Sequence, residues 1–462
     1  MSPVRVFTGK LAHSTSVDKL ELYEVAHIVV DDRGIILALQ DGTKAVVDVL
    51  AKLSLSLQEV EVHNLSQSQF IIPGFVDTHN HAPQWSQRGL GQSMHILDWL
   101  DTITFPNEAR FADPAHARRV YPSCVDGFLK QGITTASYYG SMHQEATNIL
   151  SDVCLEKGQR ALIGKCNMNR NAPEYYRDSS VADSMEATRA CIAHIERIDP
   201  KHHLLNYFLT PRFAICCEGD LLSQLGQLGQ EGGLRTQTHF NEAEQEMSAT
   251  KDLFPEFANE ADLYAHHGLL TDRSILAHCC IMTDYEFRQL AAAGAGVAHC
   301  PIANMTVGGG FMAAPIRSFL NYGIKVGLGT DNGGGFSSSM LDAIRQALIA
   351  SYSREASSKG KEAKLSIEEV FYLATQGGAD VCGLGSQVGN FDMGKAFDAL
   401  IIDTDVDGVM APREGHDSIR VIFEKFLLTG DDRNIREVFV GGREVKGLNP
   451  SYLGSLASSI KT

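Results

Sequence analysis

From residue 71 to about 384 the chain repeats one rhythm: a short apolar run of strand length, a polar end, then a stretch long enough for a helix. Eight such runs stand out, at 71–81, 132–139, 160–167, 203–212, 234–239, 274–278, 295–299 and 324–331. Strands alternating with helices are the pattern of a parallel sheet. Eight units in succession predict an α/β fold built on a (β/α)8, TIM-like barrel. The intervening segments agree. Pro114 to Gln131 reads as a helix with proline at its start and Gly132 just past its end. Ser366 to Val381 reads as another, opening with the capping-box pattern Ser-Ile-Glu-Glu.

On either side the rhythm changes to short strands and tight turns. Before the barrel come Arg5-Val6-Phe7, then Ala26 to Val30, and, after the turn Asp31-Asp32-Arg33-Gly34, Ile35 to Leu39. Two apolar runs around such a turn predict a hairpin. Beyond it, Asp398 to Asp403 and Glu437 to Arg443 read the same way. The expected organisation is a barrel over 71–384 inserted into a small β-sandwich domain that both ends of the chain, 1–70 and 385–462, build together.

The polar ends of the runs carry the candidate chemistry, because in such barrels the C-terminal strand ends form the active-site face. In an extended strand alternate side chains point the same way, so His79 and His81 face one side together. The fifth run ends at His239, the sixth at His278, the eighth at Asp331. Any one of these also suits a hydrogen-bonded strand end or the first residue of a turn. Jointly, His79, His81, His239 and Asp331 make a ligand set for one catalytic divalent cation. His278 is expected to contact water or substrate beside it. His299, at the seventh strand end, suits a structural or a catalytic place. Glu242, three residues past His239, is placed as a proton shuttle rather than a ligand.

Composition narrows the partners. Apolar residues make up 44% and charged residues 21%, ordinary for a folded globular protein. A formal charge of −16 disfavours nucleic acid and anionic membrane, and points to a small-molecule substrate. The ten cysteines lack paired spacing and include two adjacent pairs, so reduced thiols and a cytosolic, cytoplasmic setting are expected. Neither an apolar leader nor a run of membrane-spanning length is visible. With no Pro-Cys-x-x-Cys sequence, a cysteine-ligated zinc deaminase is disfavoured.

Pro73-Gly74-Phe75-Val76-Asp77-Thr78-His79-Asn80-His81 resembles the entry strand of the metal-dependent amidohydrolase superfamily. Within it the chain is similar to the guanine deaminase family. That likeness is carried by His81-Ala82-Pro83-Gln84, Pro211-Arg212-Phe213, His239-Phe240-Asn241-Glu242, Ala298 to Pro301 and Gly327 to Arg345. A tail, Lys425 to Ile435 with Val438 to Gly442, extends it. The resemblance implies a zinc site, with iron as the alternative metal, a homodimer, and hydrolysis of guanine at C2 to xanthine and ammonia. It implies that Asp331 and Glu242 carry the protons. His81, Ala82, Pro83, Gln84, Arg212, Phe213, His239, Glu242 and Asp331 would line the substrate site. Gln84 and Arg212 would hold the polar edge of the purine and Phe213 its face. Two positions depart from the pattern: Asn80 stands where an aliphatic residue is usual, and Asn332-Gly333-Gly334-Gly335 replaces Val-Ala-Gly-Gly. The alternative is an amidohydrolase acting on another amino-heterocycle such as a triazine.

Overall fold

The computed structural model describes residues 3–307, 313–411 and 413–447; the end of the C-terminal flank, 448–462, lies outside them. The N-terminal flank begins with a long antiparallel hairpin of β1 (Val4–Ser16) and β2 (Lys19–Val30), and β3 (Ile36–Asp41) pairs with β2. The strands β4 (Val60–Asn64) and β5 (Gln69–Pro73) then lie parallel to successive parts of β1.

The barrel follows as β6 (Phe75–His81), β7 (Ile133–Tyr139), β8 (Arg160–Gly164), the two-residue β9 (Cys166–Asn167), β10 (Leu205–Pro211), β11 (Arg235–Phe240), β12 (Ser274–His278), β13 (Gly296–His299) and β14 (Lys325–Leu328). All pair in parallel with their neighbours, and β9 follows β8 after a break at Lys165 and pairs with the end of β10. Returning to the first sheet, β15 (Ala399–Asp403) pairs with β5, and β16 (Ile435–Val440) and β17 (Arg443–Lys446) complete it. The termini thus meet as expected, in one mixed sheet ordered β17-β16-β15-β5-β1-β2-β3.

Residues 71–81 divide into two strands rather than one. β5 belongs to the terminal sheet and β6 to the barrel, with Gly74 as the joint. Its N–H donates to the Asp398 carbonyl at 3.0 Å. A Cβ there would come within 2.1 Å of Thr134 Oγ1, so the close approach requires glycine. Ser366 to Val381 also divides, into the helices Ile367–Ala374 and Gln376–Val381, broken at Thr375 (φ −128°, ψ −96°). The break brings Gly377 and Gly378 against the barrel wall, where their added Cβ atoms would lie 2.8 Å from the Val326 carbonyl and 2.9 Å from Val76 Cβ. The capping box at Ser366 and Glu369 is formed.

Eight parallel strands nearly close on themselves, and the seam between β6 and β14 is sealed by side chains. Thr78 donates to the Leu328 carbonyl at 2.8 Å, while Asp77 accepts from the Thr330 N–H at 3.0 Å and its hydroxyl at 2.6 Å. The Asp331 N–H donates to the His79 carbonyl at 2.9 Å. These bonds set Asp331 beside the two histidines of β6. Outside the barrel, Phe75, Ile133, Ile163, Leu209, Leu276 and Val326 pack in one apolar core with the surrounding helices. A second core, around Phe7, Ile28, Phe397 and Phe439, holds the terminal sheet. The two are tied by Arg160, which donates through Nε and Nη2 to Asp398 at 3.2 Å each, both side chains buried. Among the described residues no helix is long and apolar enough to cross a membrane.

Candidate active site

Four histidines and one aspartate converge at the C-terminal strand ends. His79 and His81 face the barrel interior with ring centroids 5.0 Å apart, and His239 lies 4.9 and 5.2 Å from them. Asp331 Oδ1 is 3.4 Å from His79 Nε2 and 3.5 Å from His81 Nε2. His79, His81 and Asp331 can therefore offer donor atoms that all lie within 4.8 Å of one another, and so can His79, His239 and His278.

The protonation of these rings follows from their partners. His239 Nδ1 lies 2.6 Å from the Arg212 carbonyl, which only accepts, so Nδ1 carries the hydrogen and Nε2 presents a lone pair. That Nε2 is 3.2 Å from His81 Nε2, and His79 Nε2 is buried without a hydrogen-bond partner. Burial, and then the neighbouring imidazoles, hold all three rings well below the usual histidine range, so they are neutral near pH 7. Buried lone pairs facing each other beside one carboxylate are the donor set of a divalent cation. The residues fit such an ion.

Several strand ends leave the ladder through left-handed backbone, which re-aims their side chains. Asn241, His278 and Asp331 have φ of +45°, +74° and +44°. Strain of this kind gathers where the surrounding structure holds functional groups in place. Asn241 is pinned by Glu286 at 2.7 Å and the Ile281 carbonyl at 2.9 Å, and its own N–H donates to Glu260 at 3.0 Å. The next residue, Glu242, is buried with a carboxyl oxygen 3.6 Å from His278 Nε2. Burial, and then the charge of Asp331, push its pKa up to about 8. His278 is oriented through Nδ1 by Asn304 at 2.8 Å, leaving its Nε2 free towards Glu242. His299 is placed elsewhere: it lines a separate cavity with Arg354 and Ser351, and neither ring nitrogen has a hydrogen-bond partner.

The cluster opens into a pocket with about 370 Å³ of empty space, part of it open to solvent. His81, Gln84, Arg212, Phe213, His239, Glu242 and Asp331 line it. Ala82 and Pro83 are buried beside it in the short 3-10 turn Ala82–Gln87, but are not among the lining residues. The sequence reading missed the apolar side, Ile96, Trp99, Leu100 and Val307, which comes from segments without strand periodicity. It also missed Glu108, a buried carboxylate on the helix Phe105–Ala109. Arg212 donates to it at 2.7 and 3.2 Å, Gln84 at 2.7 Å and Tyr176 at 2.6 Å. Burial would lower the Arg212 pKa, but the Glu108 charge and hydrogen bonds hold it well above the ordinary value.

The two departures from the expected pattern have structural places. Asn80 donates to Asp77 and to the Ser137 carbonyl, both at 3.2 Å, inside the wall between β6 and β7. Asn332 donates to the His81 carbonyl at 3.1 Å. Gly333 has φ +116°, and a Cβ on it would come 2.2 Å from Gln84 Oε1, so glycine lets Gln84 lie against the Asp331 loop.

Residues 70–445 match the sequence model of the amidohydrolase family. The chain is 40% identical over 443 residues to a probable guanine deaminase of Schizosaccharomyces pombe, covering 96% of this chain and 83% of that one. To the guanine deaminase of Mus musculus it is 37% identical over 447 residues, 95% and 96% of the two chains. Among solved structures, the guanine deaminase of C. acetobutylicum with guanine bound in its active site superposes with a TM-score of 0.85. There the identity is 29%, over 96% of this chain and 99% of that one.

Proposed function

The chain belongs to the amidohydrolase family, beside its guanine deaminases, and from that premise we propose that its site hydrolyses guanine at C2, giving xanthine and ammonia. The observation that carries the chemistry is the clustering of buried histidine donor atoms and Asp331, in overlapping groups that share His79, beside a pocket lined by Arg212, Gln84 and Glu242.

His79, His81, His239 and Asp331 would hold the cation, for which we propose zinc, with iron as the alternative. When bound, such an ion supplies Lewis acidity and makes a water acidic enough to lose its proton near neutral pH. Asp331 takes that proton at a carboxylate oxygen. Glu242 holds a proton at neutral pH, in keeping with a pKa near 8, and gives it to the ring nitrogen beside C2 as the water oxygen bonds to that carbon. When the bond from C2 to the amine breaks, the proton held by Asp331 goes to the departing ammonia, and Glu242 recovers one from the new hydroxyl as it becomes the C2 carbonyl. His278, 3.6 Å from Glu242, keeps the reacting water and the shuttle in register. Arg212 and Gln84 orient the purine edge, Phe213 lies on its face, and Trp99 and Leu100 exclude bulk water.

A homodimer and a cytosolic address complete the proposal. The ten cysteines are buried free thiols, which suits a reducing compartment. The test is ammonia release from guanine, adenine, cytosine and a triazine, with metal analysis of the same protein. We expect xanthine from guanine, little turnover of the others, and close to one zinc or iron per chain. His239→Ala should lose metal and activity together. Full activity after thorough demetallation, or preference for another heterocycle, would overturn the proposal.

A further inference from the structure

Glu108 takes four hydrogen bonds from three side chains that reach it from separate segments: Gln84 after β6, Tyr176 after β9, and Arg212 after β10. A carboxylate only accepts, so each neighbour must turn a donor towards it. For Arg212 and Tyr176 this changes little. For Gln84 it decides which end of the amide is which. Were Oε1 to face Glu108, two acceptors would meet at hydrogen-bond distance in a buried site. Nε2 is therefore committed to Glu108, and Oε1 remains buried without a partner in a residue that lines the pocket. Arg212 carries only donors, so what it has left for a ligand is N–H. The polar side of the pocket thus carries a fixed pair: an unpartnered acceptor on Gln84, lying against Gly333, and the remaining N–H donors of Arg212.

We infer that Glu108 is a positioning residue that determines specificity: by fixing the polarity of Gln84 beside Arg212, it selects a ring edge with an N–H next to a carbonyl and rejects an amine next to a bare nitrogen. The inference rests on the guanine reading above, since N1–H and C6=O of guanine form such an edge and adenine presents its inverse at the same positions. The mismatch leaves two buried groups unpaired at once. Discrimination of that kind reaches roughly 10⁴-fold, far beyond what an apolar contact supplies.

Glu108→Gln tests it, because glutamine keeps the shape but offers an N–H as well as an oxygen, so the Gln84 amide is free to turn over. The measurements are inhibition constants for hypoxanthine and adenine, which share the ring and lack the 2-amino group, alongside guanine KM, kcat and metal content. In the wild type hypoxanthine should bind far more tightly than adenine. In Glu108→Gln that ratio should fall by about tenfold or more, with guanine KM raised and metal content unchanged. Glu108→Asp, which still only accepts, should keep most of the ratio even where KM suffers. A ratio unaltered in Glu108→Gln overturns the inference. Should Glu108→Gln not fold, an Asp variant that folds and loses the preference overturns it as well. A wild type without preference for the 6-oxopurine instead overturns the guanine reading, so the two failures are distinguishable.

Discussion

Two glutamates near the pocket show how neighbours, rather than residue type, set the task of a carboxyl group. Glu108 is surrounded by donors and stays a fixed acceptor, whereas Glu242, buried beside Asp331, is pushed up to a pKa of about 8 and can hold or release a proton. Glu242→Gln preserves the shape and loses the proton. We expect kcat to fall by roughly 10²- to 10⁴-fold with metal content intact, measured by steady-state kinetics and metal analysis on one preparation. Near-normal turnover would remove Glu242 from the chemistry. Arg212→Ala should keep its metal and lose most guanine turnover, since it leaves Glu108 buried without its cation; an unaffected variant would count against the recognition scheme. The histidines and Asp331 were legible in the sequence because strand periodicity and the ends of apolar runs mark them. Glu108 and Tyr176 were not. They sit on short helical turns of irregular segments, and their importance arises only where three such segments meet.

At the level of elements, the alternation of apolar runs and helix-length stretches was enough to find all eight barrel strands and the pairing of the two flanks. What it blurred were the joints. An apolar run crossing from one sheet to another keeps its hydrophobicity, because both halves are buried, so 71–81 read as one strand although Gly74 divides it. The helix over 366–381 was likewise read through its break, since nothing in local propensity marks Thr375; contact of Gly377 and Gly378 with the barrel wall decides it. The joint at Gly74 is testable. Gly74→Val would force Cβ into Thr134, and overpacking of a filled site costs about 1–3 kcal/mol. The midpoint of urea unfolding should fall accordingly, while metal content of the folded fraction stays near the wild-type value. An unchanged midpoint would show that the joint tolerates a side chain.

Across the whole molecule, the buried pair Arg160 and Asp398 fastens the barrel to the terminal sheet, and Asp398 also accepts from the Gly441 N–H at 2.7 Å. Asp398→Ala would strand a guanidinium in the interior, and breaking a buried pair from one side costs about 3–5 kcal/mol. Calorimetry should show the loss as a lower melting temperature, with kcat per folded enzyme little altered because the pair is remote from the pocket; a melting temperature equal to the wild type would mean that water reaches Arg160. The seam between β6 and β14 has a further consequence, which concerns the order in which the chain is made. Asp77 and Thr330 are 253 positions apart, and β5 waits for β15 from later still. On the ribosome, His79, His81 and His239 emerge well before Asp331, and although β5 and β6 can already pair with β1 and β7, each has its second edge open until the late strands β15 and β14 arrive. Contacts so distant along the chain make for slow folding through partly assembled states. The tight cluster of histidines and Asp331 is therefore a product of the late chain, and metal uptake during refolding would report closure of the barrel rather than formation of any one strand.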